Sequence, residues 1–207
     1  MKKILVFNSG YQHGGSDRLK QLIQVAKQSP IPAEIIGVVS NYENGAVQKI
    51  AEKIGLMFFH LPTDAETSDY QSVSVSSQAD IFILIDWHLP LISMKPRSAF
   101  NQKPVIRLHP GPPNRFGNLG GAKMYREILA AFSRKEIKHC ELNAHLLTED
   151  GYRYLAHKDI IISTHDTRRS LEQKMKFQEI AWYEEILSLT LNGLAQKKLN
   201  SHTLAVV

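Results

Sequence analysis

Five short apolar runs, "KILVF", "AEIIGVV", "LMFFH", "DIFILI" and "PVIRL", recur through the first half of the chain. None alternates apolar with polar residues, which is the pattern of strands buried on both faces of a parallel sheet. Helical segments fall between several of them. In "SDRLKQLIQVAKQS" the residues Leu19, Leu22, Ile23 and Ala26 make one stripe, and Ser16 or Asp17 stands at the cap position. "NGAVQKIAEKIG" repeats the arrangement and stops at Gly55. Strand, helix, strand in this rhythm predicts an α/β fold with a Rossmann-like, doubly wound, mostly parallel sheet.

The second half has a different texture. "GGAKMYREILAAFSRKE" reads as a helix opened by glycines, and "KHCELNAHLLTEDGYRYLAHKDIIIS" as two longer strands around a turn at Asp150 and Gly151. Such a turn predicts an antiparallel pair. A long amphipathic helix is expected from about Thr167 to Leu194. With no internal repeat, low-complexity tract or linker, residues 1–207 are expected to form a single domain.

The formal net charge is +5, spread along the chain. Its densest basic clusters, "KPRSAFNQK" and "HDTRRS", lack the interleaved aromatics of a nucleic-acid groove, so a small anionic ligand is the expected partner. The apolar start of "MKKILVFNSG" is broken too early for a secretion signal or a membrane span. One cysteine, Cys140, leaves no internal disulfide framework and suits a reducing compartment. A cytoplasmic protein with no membrane role is expected.

Three places could carry chemistry. "FNSGYQHGGSDRL" runs from a strand through a Gly-rich turn into a helix, where backbone N–H groups can hold an anion. It matches neither the dinucleotide fingerprint nor a P-loop, and a tight turn that needs its glycines explains it equally well. Arg107 and His109, two apart on the fifth strand, should project together from its carboxyl end, where ligands sit in open α/β sheets. Asp150 belongs to a favoured Asp-Gly turn, and gains interest only if the fold brings it to His109, where the two would make a general acid/base pair. His139 and His145 stand too far apart for a local metal pair, and no helix carries His-x-x-x-His, so no metal site is expected.

Taken in order, these stretches resemble the folate-dependent formyltransferases, and most closely their phosphoribosylglycinamide formyltransferase branch of purine biosynthesis. "ILVFNSG…GGSDRLKQLI" is similar to that family's first strand, Gly-Ser-Asn turn and helix. "IIGVVSNYENGAVQKIAEKIGL" resembles its second strand and "SN" segment, and "ADIFILIDWHLPLIS" the strand and loop against which it binds a pterin. "IRLHPGPP" stands at its Asn-x-His-Pro, "AHLLTEDG" at its His-x-x-Thr strand before Asp-Gly, and "KFQEIAWYEEILSLTLNGL" at its terminal helix.

The resemblance implies transfer of a formyl group from 10-formyltetrahydrofolate, the formyl donor, to a primary amine. That amine would be phosphoribosylglycinamide or a related acceptor such as an amino sugar. Donors aimed at the formyl oxygen would stabilise the charge that develops there. It implies that His109 takes the histidine role and Asp150 the aspartate role. Gly15, Ser16, Asp17 and Arg18 would surround the acceptor's phosphate, and Glu179 would meet its amine end. Trp87, His88, Leu89 and Leu91 would line the folate site.

Three departures stand out. Arg107 replaces the family's Asn; a guanidinium can also donate to an oxyanion, but is longer and permanently charged. Asp17 replaces the Asn of Gly-Ser-Asn, with Arg18 beside it to offset the added charge. The turn before Asp150 is about two residues shorter than the family's, which bears on its reach. Two alternatives follow. One is a non-catalytic relative that binds a folate or an anionic metabolite. The other is a hydrolase that releases formate from the same folate.

Overall fold

The computed structural model describes residues 1–10, 16–28, 32–87, 96–111, 119, 121–148 and 151–203. In chain order they form β1 (Lys2–Phe7), α1 (Asp17–Gln28), β2 (Ala33–Ser40), α2 (Ala46–Ile54), β3 (Met57–His60), α3 (Thr67–Ser77), β4 (Ile81–Leu84), α4 (Pro96–Ala99), β5 (Val105–Pro110), α5 (Gly121–Ser133), β6 (His139–Thr148), β7 (Gly151–Ile161) and α6 (Arg168–Thr203). All seven strands join one sheet in the order β3-β2-β1-β4-β5-β6-β7. β1 to β5 run parallel, while β5 with β6 and β6 with β7 pair antiparallel. Among the described residues no helix is long and apolar enough to cross a membrane.

Each expected strand is present, but they are not equally enclosed. β1 and β4 are buried on both faces, as their unbroken apolar runs require. β3 is the sheet edge: Met57 and His60 are exposed there, contrary to the two-faced burial expected of "LMFFH". The run is apolar because its inner side packs against β2 and its neighbours; an edge strand has no second flank to bury.

The helices divide between the faces. α1 turns Leu19, Leu22, Ile23 and Ala26 inward, the stripe its sequence predicts. α2 ends on Gly55 at φ 73°, a left-handed position that glycine accepts without a Cβ penalty. With α5 and α6 these helices cover one face, through Val47, Ile128, Leu171, Met175, Trp182 and Leu187. α3 and α4 cover the other, over an aromatic cluster of Phe7, Tyr70, Phe82, Trp87 and Phe100. The sequence pattern singles out no helix at "TSDYQSVSVSS", since serines interrupt its apolar stripe. A reciprocal capping box between Glu66 and Asp69 starts α3, and burial of Tyr70 and Val73 holds it.

The antiparallel pair is as expected. Thr148 and Gly151, the residues flanking 149–150, are cross-strand partners. The long helix extends past its expected end near Leu194 to Thr203.

Candidate functional site

The chain order of the sheet reverses between β1 and β4, and a crevice opens at the carboxyl ends of β1, β4 and β5. This is where open α/β sheets place ligands. Its walls include Arg18, Asp86, Trp87, Arg107, His109, Tyr125, Glu172 and Glu179. The crevice is open, and the space between its described walls is about 60 Å³, so a folate would extend beyond them.

One wall is an ion-pair cluster. Arg18, one residue into α1, sends its Nε 2.8 Å to Glu179 Oε2 on α6, and its Nη1 lies 3.6 Å from Asp86 Oδ2. Its Nη2 reaches the Tyr125 hydroxyl of α5 at 3.5 Å. Tyr183, one turn beyond Glu179, donates its hydroxyl to Glu179 Oε1 at 3.0 Å. Both Glu179 oxygens are therefore engaged. Burial opposes the charge on Arg18, but Glu179 and Asp86 outweigh it and keep the guanidinium protonated. Burial pushes the Glu179 carboxyl up, against the pull of Arg18. The Tyr183 and Tyr125 hydroxyls are pushed up for the same reason, the enclosure of a group that would have to ionise.

The other wall belongs to the antiparallel strands. Arg107 and His109 share one face of β5, and their cross-strand partners on β6 are His145 and Asn143. All four side chains are buried. His109 Nδ1 lies 3.3 Å from the Gly111 carbonyl, which also accepts from Asn143 Nδ2 at 3.0 Å. A carbonyl facing Nδ1 favours the tautomer with its proton there, leaving the Nε2 lone pair as a base. Burial, then the nearness of His109 and Arg107, lowers the His145 pKa to about 4. His145 is thus a neutral ring, packed edge-on against Tyr154 at 4.9 Å.

The structure brings Arg18, Trp87, Arg107, His109 and Glu179 to this crevice. Ser16 is buried immediately before α1, where its carbonyl accepts from the Lys20 N–H. Asp17 faces outward and pairs with Lys176 of α6 at 2.6 Å and Lys20 at 3.8 Å. Those lysines, rather than the expected Arg18, offset the Asp17 carboxylate, while Arg18 pairs with Glu179 and Asp86. Trp87 stands edge-on to Phe7 at 5.2 Å, so most of its ring belongs to the aromatic core. Gly15, His88, Leu89, Leu91 and Asp150 lie outside the described residues.

Asp86, Tyr125, Tyr183 and Asn143 were not singled out from sequence. Two signals were available. Asp86 directly follows an apolar strand at the ligand-bearing edge, and takes a left-handed φ of 51° that turns the chain there. Glu141, Asn143 and His145 alternate with Leu142, Ala144 and Leu146, a polar face on an inner strand.

These features belong to a recognisable fold, that of the folate-dependent formyltransferases. Over 92% of this chain and 95% of the other, it superposes on the phosphoribosylglycinamide formyltransferase of Brucella melitensis with a TM-score of 0.73 at 21% identity. The same-named protein of Bacillus halodurans gives 0.73 at 19%, covering 95% and 97% of the two chains. A formyltetrahydrofolate deformylase of Pseudomonas syringae gives 0.71 at 19%, over 93% of this chain and 62% of that one. No family model and no curated protein matches the sequence. At such identities the likeness is one of fold.

Proposed function

We propose that this protein transfers a formyl group from a formyltetrahydrofolate to a primary amine. The observation that carries this reading is the pairing of His109 with Arg107 on one face at the carboxyl end of β5, beside the crevice of a formyltransferase fold.

In the proposed reaction the amine nitrogen attacks the formyl carbon, the bond from that carbon to the folate nitrogen breaks, and a proton passes from the amine to that nitrogen. The Nε2 lone pair of His109 accepts the amine's proton. Arg107 stands where a donor to the developing oxyanion is needed, in place of the amide that the resemblance implies. Trp87 presents an edge to the folate, whose remaining contacts would come from residues such as His88, Leu89 and Leu91. Phosphoribosylglycinamide is the first acceptor to test, with its phosphate proposed to sit at Gly15 and Ser16, beside Asp17.

A specific observation favours a second reading, hydrolysis of the same donor to formate. Glu179, the residue the resemblance assigns to the acceptor's amine, has one oxygen on Arg18 and the other on Tyr183. The crevice that His109 lines is small between its described walls, about 60 Å³, and water can take the amine's place.

The deciding experiment mixes the protein with 10-formyltetrahydrofolate, with and without candidate amines, and follows tetrahydrofolate. Release that needs an amine supports transfer, and release without one supports hydrolysis. Binding without release reduces the protein to a folate binder. Asp150 keeps its proposed role as the partner of His109 only if Asp150→Asn loses turnover together with His109→Ala.

A further inference from the structure

We propose that His139, Glu141 and Asp159 form a site for a zinc-class divalent cation on the open face of the β6–β7 pair. The proposal stands apart from formyl chemistry. His139 and Glu141 are two apart on β6 and so share a face, and Asp159 is the direct cross-strand partner of Glu141 on β7. One ligand atom from each lies within 4.8 Å of the others. His139 Nε2 stands 3.4 Å from Asp159 Oδ1 and 3.8 Å from Glu141 Oε1. Ligand atoms bound tetrahedrally to zinc at about 2.0–2.1 Å sit roughly 3.3–3.5 Å apart, so closing on an ion needs only side-chain adjustment.

Two further observations support a cation here. Like charges placed directly opposite on antiparallel strands destabilise the pair, and Glu141 faces Asp159 in that way. Asn143, which is buried, holds its Nδ2 3.4 Å from Glu141 Oε2 while bonding the Gly111 carbonyl at 3.0 Å. An outer partner that orients a ligating carboxylate is a usual companion of metal sites. One imidazole with two carboxylates suits zinc, with water at the fourth position, and is less apt for the oxygen-only preference of calcium. The three side chains are partly exposed, at 44%, 27% and 59%, so an ion can enter from solvent. The spacing of histidines along one strand hid the site, because Asp159 arrives from the next strand.

The test is calorimetric titration of the full chain with zinc chloride, repeated on His139→Gln and Asp159→Asn, with cobalt absorption to report four-coordination. Unchanged circular dichroism would show that both variants fold. One equivalent should bind, raise the thermal midpoint of the parent protein, and bind at least about tenfold more weakly to each variant. Absence of binding, or equal binding by the parent and His139→Gln, overturns the proposal.

Discussion

Two arginines line one crevice, Arg18 half-buried and Arg107 buried, and their surroundings differ. Arg18 is enclosed by carboxylates and phenols, with Glu179 at 2.8 Å and Asp86 at 3.6 Å. Arg107 stands across the strand from His145, and its charge helps to hold that ring neutral. The first arrangement neutralises charge and ties α1, α5 and α6 to the switch point. The second sets a guanidinium and two imidazoles together on facing strands. The guanidinium held by two carboxylates reads as architecture, and the one that shares a strand face with His109 is the candidate for chemistry.

The contrast breaks most visibly at Arg18. Arg18→Met takes the guanidinium away from buried Glu179 and half-buried Asp86, and should cost about 3–5 kcal/mol of unfolding free energy, measured by denaturant titration. Adding Glu179→Leu should restore much of that loss. A mild effect of the single change would mean that the cluster is not structural.

His109→Ala should behave in the opposite way. Turnover of 10-formyltetrahydrofolate should fall by about 10²–10⁴-fold, while the denaturation midpoint moves much less than in Arg18→Met. Equal turnover in the variant would remove His109 from the mechanism.

The third test sharpens the Arg107 wall through pH. His145 titrates at about 4 in the folded protein against an ordinary value of 6.5. Between those values the unfolded chain binds the extra proton, so stability falls as pH drops through that window, by at most about 1.4 kcal/mol per unit from this group. His145→Asn should flatten this part of the stability profile. Arg107→Asn should raise the His145 pKa, read by NMR titration of the ring; an unmoved value would mean that burial and His109 set it without Arg107. The smallest effect is expected at the exposed Asp17–Lys176 pair, where Lys176→Ala should cost less than about 1 kcal/mol.

Some of this was legible in the residues themselves. Unbroken apolar runs gave the parallel strands, since a strand covered on both sides has no polar face to show. The Leu19, Leu22, Ile23, Ala26 stripe fixed α1, and an Asp-Gly turn marked the β6–β7 hairpin. Arg107 and His109 could be placed on one face because strand periodicity is strict over two residues. Other features were hidden. α3 depends on a capping box and on burial of Tyr70 against Phe7 and Phe100, contacts made far along the chain. The edge position of β3 follows from sheet order, which local pattern does not encode.

Sequence by itself determined the α/β class, the chain order of the strands and the face shared by Arg107 and His109, because these follow from local periodicity and turn chemistry. Only tertiary structure decided the partners of each charge. Arg18 and Glu179 are 161 positions apart, yet share one hydrogen bond, and Glu141 meets Asp159 through strand register. Electrostatic energy depends on distance and burial, and neither is set until the chain has closed on itself.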